Sequence, residues 1–454
     1  MLILDFISGV LISIIILFFR YTFYNLALKT TSLLDIVFDK NLNEKDKFFK
    51  LVINFKSTIK SLLYFIIYLS LIVFSFYIPY LIYEFIYSTS FEINIFSKFY
   101  NLIIFSLGTC MPFILFNFLT QKTSYSELSQ VFHKMILDNY NIGKKIFDFQ
   151  TKDIKKVKNK FVVVSGLARC GTTALTTILN KSNQFKSLDY SNMPFILAPS
   201  LWNKIYKVNS DKNWERKHGD QTFINYSSAE ALDEYFFKVF FNDCYISENK
   251  LLLHKVPENI HQNYLRFHKS FCDEEIYLTK NNNFILRYNS FRSINPKFNV
   301  IFMFREPLAH SFSLLKQHEK FSTFQKEDPF ILTYMNWLGH HEFGMNEKKM
   351  NLDFDFVEKN KNHLNYWLEV WINYYQFLLK IFDKKDIIIE YDDFLNNPKK
   401  SIEVISDNIN LELSDIEIIK FDKKGVDLQS TNVDIVLKSK AEKIYKKLLL
   451  LKSN

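Results

Sequence analysis

The chain has 454 residues, among them only nine glycines and nine prolines but 48 phenylalanines and 25 tyrosines, and a formal charge of +9 from 57 Lys and Arg against 48 Asp and Glu. So little Gly and Pro excludes collagen-like and Gly/Ser-linker classes, and a 48% hydrophobic share excludes wholesale disorder. The four cysteines, at 110, 170, 244 and 272, form no Cys-x-x-Cys pair and no zinc spacing, so a reducing compartment and no metal site are expected.

Three apolar runs come first. Leu2–Phe19 holds one charge, Asp5, while Ser61–Tyr83 and Phe99–Thr120 hold none. Each is close to the roughly 20 helical residues that cross a hydrocarbon core about 30 Å thick. Pro79 and Pro112 fall inside the second and third, where membrane helices tolerate them. The first run has no basic segment before it and no small-x-small cleavage site after it, so it reads as an uncleaved anchor. Lys and Arg crowd residues 20–60 and 122–160, whereas residues 84–98 carry only Lys98. The positive-inside rule then sets the first loop and everything after residue 120 on the cytoplasmic side of an inner membrane.

Residues 1–120 are therefore expected to form a transmembrane region. Residues 121–160 form a connector, in which Leu128, Val131, Phe132, Met135 and Ile136 recur at helical spacing before a Lys-rich end. Residues 161–454 are left for a soluble domain.

That domain opens on Phe161-Val-Val-Val-Ser165, a β-branched run suited to a buried parallel strand. Gly166-Leu-Ala-Arg169-Cys170-Gly171-Thr172-Thr173-Ala174-Leu175 follows, and a helical pattern runs on to Asn180. Strand, Gly-x4-Gly loop and helix start are the parts of a phosphate cradle, in which backbone N–H groups and the helix dipole meet an anion. A nucleoside-triphosphatase loop would place lysine directly after the second glycine. Thr172 stands there instead, and the basic residue, Arg169, lies inside the loop.

The segment resembles the sulfotransferase family that uses 3′-phosphoadenosine 5′-phosphosulfate (PAPS), whose loop reads basic-x-Gly-Thr-Thr-x-Leu. The resemblance implies that Gly166 and residues Arg169, Cys170, Gly171, Thr172, Thr173 and Ala174 hold the 5′-phosphosulfate, with Arg169 on the transferring group. It also implies an arginine after a later strand and a serine eight residues on, to hold the 3′-phosphate. Arg305 follows the strand Asn299–Phe304, and Ser313 stands eight beyond it, with Ser311 as the near alternative. Such an arginine binds phosphate bidentately at a helix start. A lysine about 25 residues before that arginine is matched by Lys280, a second cation for the sulfuryl group.

Several residues are candidates to take the acceptor's proton. Where cytosolic members place a catalytic histidine two residues after this lysine, the chain has Asn282. A glutamate used by another branch is matched at best by Asp189. Two further stretches offer bases: Lys217-His218-Gly219-Asp220 and Gly339-His340-His341-Glu342-Phe343-Gly344. Adjacent histidines point to different faces, so His340 and His341 are alternatives. Trp367, Trp371, Tyr374 and Tyr375 read as core on a helix near 361–382. Tyr391-Asp392-Asp393-Phe394-Leu395 is similar to a late strand–helix segment of the family, and Lys423-Lys424-Gly425 to a basic motif near the 3′-phosphate.

The expected fold is α/β: a mostly parallel sheet with strands near 161–165, 275–279, 299–304 and 386–390, flanking helices and a P-loop-like phosphosulfate loop, preceded by an α-helical transmembrane region. The expected activity is transfer of the sulfuryl group of PAPS to a hydroxyl or amine, leaving adenosine 3′,5′-bisphosphate, without a metal. Expected partners are the lipid bilayer and a small-molecule, lipid or glycan acceptor, and no nucleic acid. A phosphotransferase or nucleotide hydrolase on the same fold, and an inactive nucleotide-binding membrane scaffold, are the alternatives.

Overall fold

The computed structural model describes residues 2–38, 44–88, 99–120, 127–155, 160–205, 214–215, 223–224, 231–352, 354–413, 416 and 433–452. The chain divides into two compact units, residues 1–141 and 142–454.

The first unit holds helices α1 (Leu2–Phe38), α2 (Glu44–Tyr87), α3 (Phe99–Thr120) and α4 (Glu127–Leu137). Leu2–Phe19 and Lys45–Tyr87 are long and apolar enough to cross a membrane by length and composition. The 44 residues of α2 extend about 66 Å at 1.5 Å per residue, well beyond a hydrocarbon core. Leu63, Ile67, Val73, Phe74 and Phe85 lie exposed along it, an apolar surface that a water-facing helix rarely leaves uncovered. α1 and α3 meet backbone to backbone. A Cβ on Gly9 would lie 2.5 Å from the Phe105 carbonyl oxygen, and one on Gly108 would collide with that of Phe6. Small residues permit this approach between apolar helices. Ser13 Oγ donates to the Thr109 carbonyl at 2.6 Å, and the Tyr80 hydroxyl donates to Asp5, so the one charged residue of the first run is buried against a partner.

The amphipathic connector breaks at Asp138-Asn139. Its second part, α5 (Tyr140–Thr151), buries Phe147 against the rings of Phe236 and Phe240. This half of the connector is thus built into the second unit.

The second unit is organised by a five-stranded, wholly parallel sheet of β1 (Phe161–Ser165), β2 (Phe185–Lys186), β3 (Ile276–Lys280), β4 (Asn299–Phe304) and β5 (Ile387–Glu390). Their order is β2-β3-β1-β4-β5, with β1 central and buried along its whole length. One face, carrying Val162, Val164, Leu278, Ile301, Met303, Ile387 and Ile389, packs on Leu175, Ile178 and Leu179 of α6 (Thr172–Leu179). The other face is aromatic: Phe161 meets Tyr264 edge-on and stacks on Phe298, and Ser165 Oγ lies 3.4 Å from the Tyr374 hydroxyl. Cover on both faces is why the strands are continuous apolar runs rather than alternating ones. Register decides where the site lies. Val164 is opposite Lys280 and Ser165 opposite Phe302, so the residues following β1, β3 and β4 emerge together at one sheet edge. In open α/β sheets this carboxyl edge is where ligands bind.

Four further helices frame that edge: α7 (Glu234–Phe241), α8 (Pro307–Glu327), α9 (Pro329–Leu338) and α10 (Leu364–Ile381). Trp367, Trp371, Tyr374 and Tyr375 are buried on α10, as core. α8 runs 21 residues, and the segment after Asn283 forms a 3-10 turn at Phe284–Leu286 and a helix at Tyr288–Ile294.

Candidate active site

The loop after β1 is tied down before it turns. Ser165 Oγ donates to the Asn281 carbonyl at 2.9 Å. His310 of α8 reaches the Ala168 carbonyl at 2.7 Å. Burial holds this imidazole at about 3, so at neutral pH it is uncharged and its Nε2–H donates. Arg169 then takes a left-handed conformation, φ 75°, which costs a non-glycine residue energy and marks a position fixed by its surroundings. Gly171 follows at φ 97°, and a Cβ there would lie 2.5 Å from the Tyr391 ring. Glycine is therefore needed for both backbone and space. α6 starts at the next residue, with Thr172, Thr173 and Ala174 in its first turn, so the N–H groups that have no carbonyl partner within the helix face the loop.

Cys170 is fully buried in this loop, and burial pushes its thiol up to about 12. It is a packing residue and no nucleophile. Alkylation at pH 8 under native conditions is expected to spare Cys170 and to label exposed Cys244, as mass spectrometry of the digested protein would show.

The two motifs separated in the sequence meet here. Arg169 Nε approaches Ser313 Oγ of α8 at 3.5 Å, and Lys280 Nζ donates to Thr173 Oγ1 at 2.9 Å. Arg305 leaves β4 with its guanidinium 4.5 Å over the Tyr391 ring, while Trp371 Nε1–H donates to its carbonyl at 3.2 Å. Tyr391 thus touches both the cradle and the cation beside it. Glu306 caps α8 by accepting from the Ala309 N–H at 2.6 Å, with Pro307 in the first turn. Ser311 is buried on α8, and Ser313 is the serine that reaches Arg169.

On the other side of Lys280, Thr172 Oγ1 lies 3.5 Å from Asn282 Oδ1, and Asn282 Nδ2 donates to Glu342 Oε1 at 3.1 Å. His340 Nδ1 is 3.6 Å from the same oxygen. Burial pushes the Glu342 carboxyl up, but the His340 imidazole and the Asn282 amide outweigh it and hold it at about 2. Lys280, Asn282, Asn283, His340 and Glu342 line one small cavity together with Glu234.

The remaining candidates are placed otherwise. His341 turns away from this cavity and bonds the Asn346 carbonyl through Nδ1 at 2.9 Å, and burial holds it at about 4, neutral and bracing its loop. Asp189 caps its own turn, accepting from the Ser191 N–H at 2.9 Å, and burial raises it to about 6. Residues 217–220, with His218, and residues 423–425 lie outside the described residues. Among the described residues no group of three or more His, Cys, Asp or Glu is placed to hold a metal ion. Sequence reasoning passed over His310 and Tyr391 as site residues and treated Asn282 as a lost base. For Tyr391 the signal was present, a tyrosine directly after a strand, but nothing local says which loop it meets.

A family model described as "Sulfotransferase family" matches residues 162–415, more than half of the chain. No curated protein matches it by sequence. Among solved structures, a sulfotransferase of Mycobacterium tuberculosis is similar at 12% identity, covering 66% of this chain and 82% of that one, with a TM-score of 0.38. A sulfotransferase of Mycobacterium avium is similar at 9% identity, covering 70% and 76%, with a TM-score of 0.36. One from Alicyclobacillus acidocaldarius is similar at 12% identity, covering 65% and 94%, with a TM-score of 0.33.

Proposed function

Since the chain belongs to the sulfotransferase family, we propose that it moves the sulfuryl group of PAPS to a hydroxyl or amine and releases adenosine 3′,5′-bisphosphate. The observation that carries this reading is the convergence of Arg169, Lys280 and Ser313 on the loop and first turn at Gly171–Thr173, with Arg305 over the Tyr391 ring that packs on Gly171. A phosphosulfate needs N–H donors and several cations, and this edge of the sheet supplies both. The left-handed turns at Arg169 and Gly171 suit a loop whose backbone curls round a ligand.

In the proposed reaction, α6 and the loop hold the 5′-phosphosulfate, while Arg305 and Ser313 hold the 3′-phosphate. The acceptor oxygen attacks sulfur as the bond between sulfur and the bridging oxygen breaks, and the electron pair stays on the departing phosphate. Arg169 and Lys280 sit where that charge develops, and fixed cations in a water-poor site are the strongest stabilisers available there. Thr172 in place of the triphosphatase lysine supports sulfuryl over phosphoryl transfer.

The membrane assignment is part of this proposal. The long apolar helices and the Lys-rich segments at 20–60 and 122–160 support an integral inner-membrane protein with its catalytic unit in the cytoplasm. An acceptor with a lipid anchor, a glycolipid or lipid-linked glycan, suits such a protein. Adenosine 3′,5′-bisphosphate at about 100 times its Kd is expected to stabilise the protein by about 2.7 kcal/mol, read as a rise in unfolding temperature, while ATP with Mg²⁺ gives none. Radiolabelled PAPS is then offered to lipid and soluble extracts. Label in the lipid fraction is the expected result, and label confined to soluble products overturns the lipid acceptor.

A further inference from the structure

Resting on that sulfuryl-transfer reading, we propose that His340 is the residue that takes the acceptor's proton, with Glu342 and Asn282 as the groups that position it. Four observations carry the assignment. First, polar groups lead from the cradle to the imidazole: hydrogen bonds join Thr172 to Asn282 at 3.5 Å and Asn282 to Glu342 at 3.1 Å, and an ion-pair contact of 3.6 Å joins Glu342 to His340 Nδ1. Second, His340 and Lys280 line the same cavity, so the ring stands beside the cation that borders the cradle. Third, the His340 side chain is 18% exposed and that of Glu342 8%, which puts the ring on the outer side, where an acceptor arrives, and the carboxylate behind it.

Fourth, the loop that carries both residues is fixed at each end. Gly339 closes α9 in a left-handed conformation, φ 72°, and its carbonyl accepts from Asn283 Nδ2 at 3.3 Å. Lys238 Nζ donates to the Trp337 carbonyl at 3.2 Å, and the Gly344 N–H donates to His318 Nδ1 at 3.1 Å. A catalytic group held on a braced loop loses little order when substrate binds.

The chemistry follows from the order of the chain. In the reacting complex Glu342, 3.6 Å from His340 Nδ1, closes on the Nδ1–H, which leaves the Nε2 lone pair for the acceptor hydroxyl. As the acceptor oxygen bonds to sulfur, its proton passes to Nε2, and the bisphosphate departs with the electron pair of the broken bond. Hydrogen bonds of this kind are often long without substrate and tighten in the reacting complex.

The test uses the full chain in detergent, PAPS as donor and water as the acceptor, with release of inorganic sulfate as the readout. Binding of adenosine 3′,5′-bisphosphate is measured alongside. His340→Ala is expected to lower kcat by roughly 10²–10⁴-fold, the usual range for a general base, with KM for PAPS and bisphosphate affinity unchanged. Added imidazole is expected to restore part of that rate. Glu342→Gln is expected to lower kcat at least about tenfold, because a ring without its carboxylate partner adopts the wrong tautomer. Should that variant fail to fold, Asn282→Ala removes one hydrogen bond to Glu342 and leaves His340 untouched; about 1 kcal/mol lost from the transition state is a fall of roughly fivefold to tenfold in kcat.

Wild-type turnover in His340→Ala, with bisphosphate binding intact, overturns the dyad and leaves the donor reading standing. Loss of bisphosphate binding in His340→Ala also overturns it, by making the residue part of the donor site. Wild-type protein that binds no bisphosphate, or that binds it and neither releases sulfate nor labels any lipid or soluble extract, overturns the transfer reading and the dyad with it.

Discussion

Arg305→Ala is expected to weaken adenosine 3′,5′-bisphosphate binding by roughly a hundredfold. The guanidinium stands at the carboxyl end of β4 and is stacked 4.5 Å over Tyr391, while its backbone carbonyl is held by Trp371. Its fork is thus ordered before any ligand arrives. Hydrogen bonds to a charged group contribute about 1.5–3 kcal/mol each, and a loss of about 2.8 kcal/mol is two powers of ten in Kd. Arg305→Lys should recover little, because an ammonium has neither the planar fork nor the same stacking on an aromatic ring. Tyr391→Leu tests the support separately: it keeps bulk against Gly171 but removes the ring under the cation, and a smaller loss of affinity is expected. Calorimetric titration with the bisphosphate measures all three, and unchanged affinity in Arg305→Ala removes this residue from the donor site.

Arg287→Met is expected to cost about 3–5 kcal/mol of stability, the range for removing one partner of a buried ion pair. Arg287 is fully buried in the catalytic unit and donates from both terminal nitrogens to Glu234 of α7, at 2.8 and 2.7 Å. Its Nε reaches His254 Nε2 at 3.1 Å, and its guanidinium carbon lies 3.9 Å from the centre of the Phe237 ring. Burial pushes the Glu234 carboxyl up. The guanidinium, with bonds from Tyr245 and Asn281, outweighs it and holds the carboxyl below the usual range. That stabilisation is present above the unfolded-state pKa and is lost as pH falls through the lower folded one. In Arg287→Met the direction is expected to reverse, because burial is then opposed only by the bonds from Tyr245 and Asn281 and raises the folded pKa of Glu234 above the unfolded value. The defect should therefore be largest at neutral pH, on the order of 10 °C in the unfolding midpoint, and shrink as the pH falls and the carboxyl takes up a proton. A defect that does not change between pH 7 and pH 5 would show that Glu234 is not left as an unpaired charge. Asn281, which donates to Asp233 and Glu234 at 3.2 and 3.1 Å, connects this pair to the strand end that carries Lys280.

The features legible in the residues are those written in a local period or a short spacing. The run Phe161–Ser165, the Gly166–Gly171 loop and the start of α6 read correctly as strand, turn and helix, because each depends on neighbours within a few positions. The strands at 276–280, 299–304 and 387–390 lie within one residue of expectation for the same reason. The parallel sheet follows from strands that are apolar on both faces and separated by helical segments.

What joins these pieces is not periodic, and only the tertiary structure decides it. Asn282 reads in the sequence as a base that is missing; in the fold its amide bonds Glu342, 60 residues away. His340 and His341 are equivalent as neighbours in a chain. They part because the left-handed turn at Gly339 sends one ring to the cavity and buries the other against the Asn346 carbonyl. Tyr391 meets Gly171 and Arg305 because β5 and β1 flank β4 in one register. Composition and local pattern specify which elements form, since backbone hydrogen bonding and side-chain burial are settled within a turn or a strand. Which side chains meet is settled by sheet order and helix packing, where the free energy comes from contacts distant in sequence.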